Sequence, residues 1–242
     1  MESHQNRSYP GREHIMKIAL IGHGKIGKLL EQRAKEKGYT ISAIFDSITP
    51  LNSTCSKDKL ANTDVCIDFS TPQCVIENIK FLASMKKNIV VGTTGWLDHL
   101  NEVTNIVDKT GIGLLHSPNF SIGISLFLKI VEQAAALITP FNEYDVAGLE
   151  IHHNKKIDRP SGTANTIANT INTYRTHDPI IFDSVRVGNV PGTHTVLFDS
   201  PADTISLTHT ARNREGFVNG ALIAAKWLHG KKGMFTMDDL LK

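Results

Sequence analysis

Short, wholly apolar runs punctuate the first half of the chain, and alternating apolar and polar positions fill much of the second. Residues 17–21 (KIALI), 39–45, 65–69, 88–91 (NIVV) and 113–116 predict buried strands, because a strand covered on both faces reads as a continuous apolar run. Between them, residues 28–37, 72–86 and 98–109 carry helical spacing. Gly38 stands just past the first helix, and Pro72 stands at the opening of the second. Residues 47–62 are polar and predict a loop or a short helix. Strand and helix in strict alternation imply right-handed crossovers and a parallel sheet. After residue 119 the pattern changes. An apolar helix is expected over 120–137 and a strand over 145–153. A helix follows over 163–174, with strands near 181–187, 193–199 and 204–210. Runs of strands on this side point to a second, α+β domain with a mostly open, mixed sheet. The tail (GFVNGALIAAKWL, 216–228) is strongly helical.

Composition narrows the class. The chain has 242 residues, 40% hydrophobic and 21% charged, enough for one large domain or two small ones. Lys plus Arg exceed Asp plus Glu by 26 − 24 = 2, so no charge excess points to nucleic acid or to anionic lipid. No apolar run reaches the roughly 18 residues of a membrane span. Cys55, Cys66 and Cys74 form no CxxC pair, which suggests neither a disulfide framework nor a structural zinc site. A cytoplasmic, reducing location is therefore expected. Residues 1–15 lack the apolar centre of a secretory signal and are expected to form a disordered leader, with Met16 opening the fold.

Three groups of residues carry chemistry. Gly22-His23-Gly24-Lys25-Ile26-Gly27 fits G-x-G-x-x-G directly after a strand and opening a helix. Glycine permits the tight turn and lets the backbone approach a pyrophosphate, which the helix N-terminus then holds with free N–H groups. Asp46 ends the next strand, where a carboxylate accepts the ribose hydroxyls of NADH and repels the 2′-phosphate of NADPH. Ser47 beside it supplies no cation. NADH is therefore the expected preference in a Rossmann-like domain. The plainer alternative is a glycine turn with a capping acid.

Phe69-Ser70, Gly92-Thr93-Thr94 and Ser117-Pro118-Asn119-Phe120 each follow a predicted parallel strand. Ligands in open α/β sheets lie beyond the carboxyl ends of strands, so these loops are candidates to line the same cofactor cleft. Turns and helix caps use the same residue types.

The third group, EIHHNKKIDRPSGTA (150–164), ends a strand, crosses a loop and starts a helix. His152, His153, Lys155 and Lys156 put imidazoles and ammonium groups together for acid–base chemistry near an anion. Ser161, Gly162 and Thr163 sit where main-chain amides at a helix start can hold a carboxylate, or where Ser161 or Thr163 is a simple N-cap. No metal is expected, because His152 and His153 are adjacent on a strand and point to opposite faces. A serine-nucleophile reading of Ser161 lacks the G-x-S-x-G elbow.

These groups in this order resemble the 4-hydroxy-tetrahydrodipicolinate reductase (dihydrodipicolinate reductase) family. Further echoes are Arg186, Gly192 and His194 in VRVGNVPGTHTV, then His209, Arg214, Phe217, Gly220, Ala225 and Trp227. The resemblance covers residues 17–228. It implies hydride transfer from NADH or NADPH to a cyclic dicarboxylate in the diaminopimelate route to lysine. It also implies His152 as proton donor and acceptor and Lys156 as proton donor. His153, with the Gly162-Thr163 backbone, matches the carboxylate-binding groups. It implies a discontinuous dinucleotide domain (16–119 and 213–242), a substrate and oligomerisation domain (120–212), and a homotetramer. The sequence departs from the family's pattern in a glycine motif one residue shorter than G-x-x-G-x-x-G and in Ser200-Pro201-Ala202-Asp203 after residue 199. Rival readings are an aspartate- or homoserine-type dehydrogenase and a catalytically silent NAD-binding sensor. The 150–164 stretch speaks against the first, and the presence of His152 and Lys156 against the second.

Overall fold

A computed structural model of the chain describes residues 15–52, 56–175 and 178–242. All but the last residue of the expected leader, and Cys55 with it, lie outside the described residues. The chain divides into two compact units. One runs to His116 and takes in Leu222–Thr236; the other comprises Ser117–Ala221 and Met237–Lys242.

The first unit is built on six parallel strands. They are β1 (Lys17–Ile21), β2 (Thr40–Phe45), β3 (Val65–Asp68), β4 (Asn88–Val91), β5 (Gly113–His116) and β10 (Gly233–Phe235). Their order across the sheet is β10-β5-β4-β3-β1-β2. Helices α1 (Lys25–Glu36), α2 (Ser56–Leu60), α3 (Val75–Ser84) and α4 (Leu100–Thr110) connect the strands. Because both faces of the sheet are covered, Ile18, Val65, Ile67, Ile89 and Leu114 are buried, as the apolar runs predict. Two helix starts differ from the pattern. Helix α1 begins at Lys25 rather than residue 28, so Gly27 lies in its first turn. Helix α3 begins at Val75, because the Thr71 carbonyl accepts the N–H of Cys74 and of Val75 in a turn that holds Pro72 ahead of the helix.

The strand β10 was absent from the expectation of one helical tail. Helix α7 (Glu215–Leu228) matches the periodic stretch, but the chain then turns and adds Gly233–Phe235 to the edge of the sheet. Asn88 sets that turn: its Nδ2 donates to the carbonyls of Leu228 (2.8 Å) and Lys231 (3.1 Å), while its Oδ1 accepts from the N–H of Gly113 at 2.7 Å. The Trp227 and Phe235 rings meet edge to face, with Lys231 Nζ 4.3 Å from the Trp227 ring centre.

In the second unit, β6 (Asp145–His152), β7 (Phe182–Arg186), β8 (Thr193–Asp199) and β9 (Thr204–Thr210) form a mixed sheet in the order β7-β6-β8-β9. Only β6 and β7 run parallel. Alternation assigns one face to the core, where Val146, Phe182, Val196 and Phe198 pack with α5 (Ile122–Ile138) and α6 (Gly162–Asn172). Ser200 and Asp203 close the β8–β9 turn by a hydrogen bond from Ser200 N–H to the Asp203 carbonyl. The short helix α8 (Met237–Leu240) ends the chain.

Candidate active site

In the first unit three loops leave the carboxyl edge of the sheet side by side. The N–H of Gly22 donates to Phe45 O, that of Phe69 to Ile21 O, and that of Gly92 to Asp68 O, each at 2.8 Å. Gly22 has φ +89°, and a Cβ there would strike the Phe69 carbonyl; a Cβ at Gly27 would strike the Gly22 carbonyl. The packing thus needs both glycines. Gly24 differs. It caps α1 without a side-chain hydrogen bond, and nothing lies within 4 Å of where its Cβ would be. That open, uncapped helix start fits a pyrophosphate, which needs bare backbone and donor N–H groups. Lys25 is exposed, Ile26 is half-buried, and His23 pairs with Glu31 on α1 at 2.8 Å. Asp46 follows β2 as expected. Its Oδ1 accepts the N–H of Ile48 (2.9 Å) and of Thr49 (2.8 Å), which hold the carboxyl below the usual carboxylate range.

Beneath these loops lies a residue that sequence reasoning missed. Asp68 is fully buried at the end of β3. It accepts from Ser70 N–H (2.9 Å), Ser70 Oγ (2.7 Å), Thr93 Oγ1 (2.8 Å) and Asn78 Nδ2 (2.9 Å). Burial pushes its pKa up, and the four donors oppose that shift. The hydroxyls of Ser70 and Thr93, both expected to face cofactor, are therefore turned onto Asp68, while Thr94 is exposed. The signal was present in the sequence: an acid closing an apolar strand, followed by Ser two residues on.

The segment after β5 belongs to the second unit. Ser117 Oγ donates to the Asn119 carbonyl at 2.7 Å, and Asn119 Oδ1 accepts from Ser121 N–H at 2.8 Å. Pro118 is exposed, and the Phe120 side chain is buried in the core. Asn119 Nδ2 lies 3.5 Å from Thr163 Oγ1, so two of the expected groups come together at the start of α6.

That helix start is capped by Ser161, whose Oγ accepts from Ala164 N–H at 3.2 Å. Gly162 is exposed and Thr163 half-buried. His152 is buried at the end of β6, whereas His153, the first residue after the strand, is half-buried. Lys156 Nζ holds both oxygens of Asp158, at 2.8 and 3.0 Å. Lys156 therefore holds Asp158 below its usual range.

On the covered face of the sheet the apolar rows give way to polar ones. Cross-strand pairing sets Ser184, Glu150, His194 and His209 in one row, with Arg186 beside His152 in the next. Glu150 Oε1 accepts from Ser184 Oγ and Arg186 Nη2, each at 2.7 Å, and the Ser161 N–H reaches both carboxylate oxygens at 3.1 Å. Burial pushes Glu150 up, but these donors outweigh it and hold the carboxyl at about 2. Burial dominates at His194 and lowers it to about 4; it lowers His152 too, where Glu150 pulls in the opposite sense. Glu150, His152 and His194 offer ligand atoms within 4.8 Å of one another, an arrangement invisible until β8 is registered against β6. The Arg186 cation and the Ser161 and Ser184 donors already occupy that carboxylate, which leaves a dication little to bind.

Comparison with known proteins bears on the family and the fold. The family models described as dihydrodipicolinate reductase, N-terminus and C-terminus, match residues 16–120 and 123–241. A 4-hydroxy-tetrahydrodipicolinate reductase of Christiangramia forsetii is 36% identical over 237 residues, 93% of this chain and 98% of the relative. One from Thermosipho africanus is 34% identical over 233 residues, covering 94% of this chain and 98% of the relative. Among solved structures, a dipicolinate-bound dihydrodipicolinate reductase from Paenisporosarcina sp. TG-14 shares the fold with TM-score 0.78 and 24% identity, over 92% of this chain and 97% of that one. Aspartate dehydrogenase from Thermotoga maritima shares it more loosely, with TM-score 0.52 and 14% identity over 90% of this chain and 98% of that one.

Proposed function

Because the chain belongs to the dihydrodipicolinate reductase family, we propose that it reduces 4-hydroxy-tetrahydrodipicolinate to tetrahydrodipicolinate in the diaminopimelate route to lysine. It is an oxidoreductase, and its first unit has the nucleotide-binding, Rossmann-like architecture. The observation that carries the substrate reading is the 150–164 segment: imidazole, ammonium and the first amides of α6 gathered at its Ser161-capped N-terminus. A dianionic ring needs cations and N–H donors, and this segment supplies both.

The residues divide the work. Gly162 and Thr163 amides with His153 bind the substrate carboxylates. A bound nicotinamide supplies the hydride. Reduction of the conjugated imine leaves negative charge on the ring, which a proton from His152 or Lys156 quenches. Lys156 must share or release Asp158 to do so. Gly22–Gly27 cradle the pyrophosphate, and Asp46 takes the ribose hydroxyls. Phe69, Ser70, Gly92, Thr93 and Thr94 shape the remaining cofactor wall of the first unit through backbone more than side chain; Ser117, Pro118, Asn119 and Phe120 are assigned to cofactor by their place directly after β5.

NADH is the preferred donor in this reading, since Asp46 is followed by Ser47 and not by a cation. A ratio of kcat/KM favouring NADPH would overturn that preference. We further place the enzyme in the cytoplasm as a homotetramer; no helix among the described residues is long and apolar enough to cross a membrane. The activity itself is tested by absorbance at 340 nm. NADH is mixed with the chain and the freshly formed condensation product of pyruvate and aspartate semialdehyde. A chain that leaves the absorbance unchanged is not this reductase.

A further inference from the structure

The role of His152 raises the question of what holds its ring. Glu150 stands two positions earlier on β6, so both side chains leave the same face of the strand. His152 Nδ1 is buried, makes no aligned hydrogen bond, and has Glu150 Oε2 at 3.3 Å. Resting on the functional reading above, we propose that Glu150 is a positioning residue. It keeps the proton of neutral His152 on Nδ1, leaves Nε2 to exchange a proton with substrate, and through Ser161 ties the start of α6 to that ring.

Four observations converge on this. First, the carboxylate is fully buried and fixed on three sides, by Arg186, Ser184 and the Ser161 N–H. It stays ionised and faces the ring as an acceptor. Second, the same Ser161 that donates to Glu150 caps α6, so one carboxylate orients the imidazole and the helix amides together. Third, His194 closes the far side. Its ring meets His152 edge to face at 5.2 Å, and its Nε2 lies 3.2 Å from Ser161 Oγ. Fourth, Gly192 leaves room at the other end: a Cβ there would lie 2.9 Å from His152 Nε2.

The proton balance is simple. Nε2 takes up a proton to give an imidazolium, whose Nδ1–H faces the Glu150 carboxylate. Giving the proton back restores the neutral ring with hydrogen on Nδ1. A base oriented by a third group in this way is a recurrent catalytic arrangement. The charged and titratable groups facing His152 are Glu150 on the same strand, Arg186 on β7, His194 on β8, and Lys156 and Asp158 in the following loop. His209 on β9 stands behind His194.

The test is ¹⁵N NMR of the histidine-labelled full chain at pH 7.5, with His152 assigned from its loss in His152→Gln. The expected result is the Nδ1–H tautomer; an Nε2–H ring in the unchanged protein overturns the proposal. In Glu150→Gln the tautomer preference is expected to vanish, and kcat to fall at least tenfold with KM for NADH within twofold. Lost kcat with the Nδ1–H tautomer intact also overturns it. Should Glu150→Gln fold poorly, Ser184→Ala keeps the carboxylate but removes one of its donors; a smaller fall in kcat and a partial tautomer shift are expected, and a variant in which both stay unchanged overturns the proposal. An unchanged protein without reductase activity, or a fully active His152→Gln, sinks the functional reading instead, and the resting tautomer still decides how the ring is held.

Discussion

At the scale of single residues, the buried histidines tie stability to pH. His194 titrates near 6.5 in an unfolded chain and at about 4 in the fold, because burial disfavours its charged form. Above pH 6.5 both states are neutral and nothing is lost. As pH falls from 6.5 toward 4, the unfolded chain takes up a proton that folded His194 refuses. Stability then drops by about 1.4 kcal/mol per pH unit, to a total of roughly 3 kcal/mol. His152 and His209 act in the same direction. Glu150, held at about 2, contributes stability that is fully present above the usual carboxylate range and is lost progressively as pH falls from that range through about 2. The histidines therefore govern the window between pH 6.5 and 4.5. Urea midpoints measured across that window should decline in the unchanged protein and decline less steeply in His194→Gln. Equal slopes would mean that His194 is protonated in the fold. A second expectation concerns Lys156. Its removal in Lys156→Ala should lower kcat by about 10²- to 10⁴-fold while NADH affinity, read by fluorescence titration, stays the same. Equal loss of both would assign Lys156 a structural role.

At the scale of elements, Asp68 shows how one strand end organises neighbouring loops. Four donors from the β3 loop, α3 and the β4 loop meet at its carboxylate. Asp68→Asn replaces an acceptor oxygen by an amide that must itself donate, so at least one buried donor loses its partner. The expected cost is about 1–3 kcal/mol of stability. The displaced Gly92-Thr93 loop should weaken NADH binding about tenfold, seen as a higher dissociation constant with a smaller change in kcat. Unaltered NADH affinity would show that the glycine packing holds these loops alone. The parallel strands were legible in the sequence because double burial leaves apolar runs such as NIVV. Strand β10 was not, since three residues carry no periodicity and its position is imposed by Asn88, more than 140 residues earlier in the chain. The segment 150–164 was legible for the opposite reason: dense local chemistry. Glu150, Ser184, Arg186 and His194 became one cluster only once cross-strand register was known, because sequence fixes which face a residue takes but not which strand lies beside it.

At the scale of the whole molecule, the mixed sheet has a second face that asks for a partner. Opposite Glu150 and His152 stand Leu149 and Ile151, paired with Thr195, Thr193 and the exposed Val185, and bordered by Leu197 and Thr208. In the single chain these apolar groups remain partly open to solvent, and the centre of the face carries no Lys or Arg. Leu149 also pairs with Asp183, so a charge stands at the β7 edge of this face, while its centre of Leu, Ile and Thr is of the kind a symmetric assembly buries. The proposed homotetramer would use this face, back to back with the row that holds His152. Assembly would then brace the strand from which the candidate acid–base residue projects. The pair Leu149→Lys and Leu197→Lys places ammonium groups at the centre of that face without touching the covered side. Sedimentation should then report single chains in place of four, NADH binding should persist, and kcat should fall as β6 loses its backing. A tetramer that survives both lysines would move the interface elsewhere, and a monomer with full kcat would separate the assembly from the chemistry.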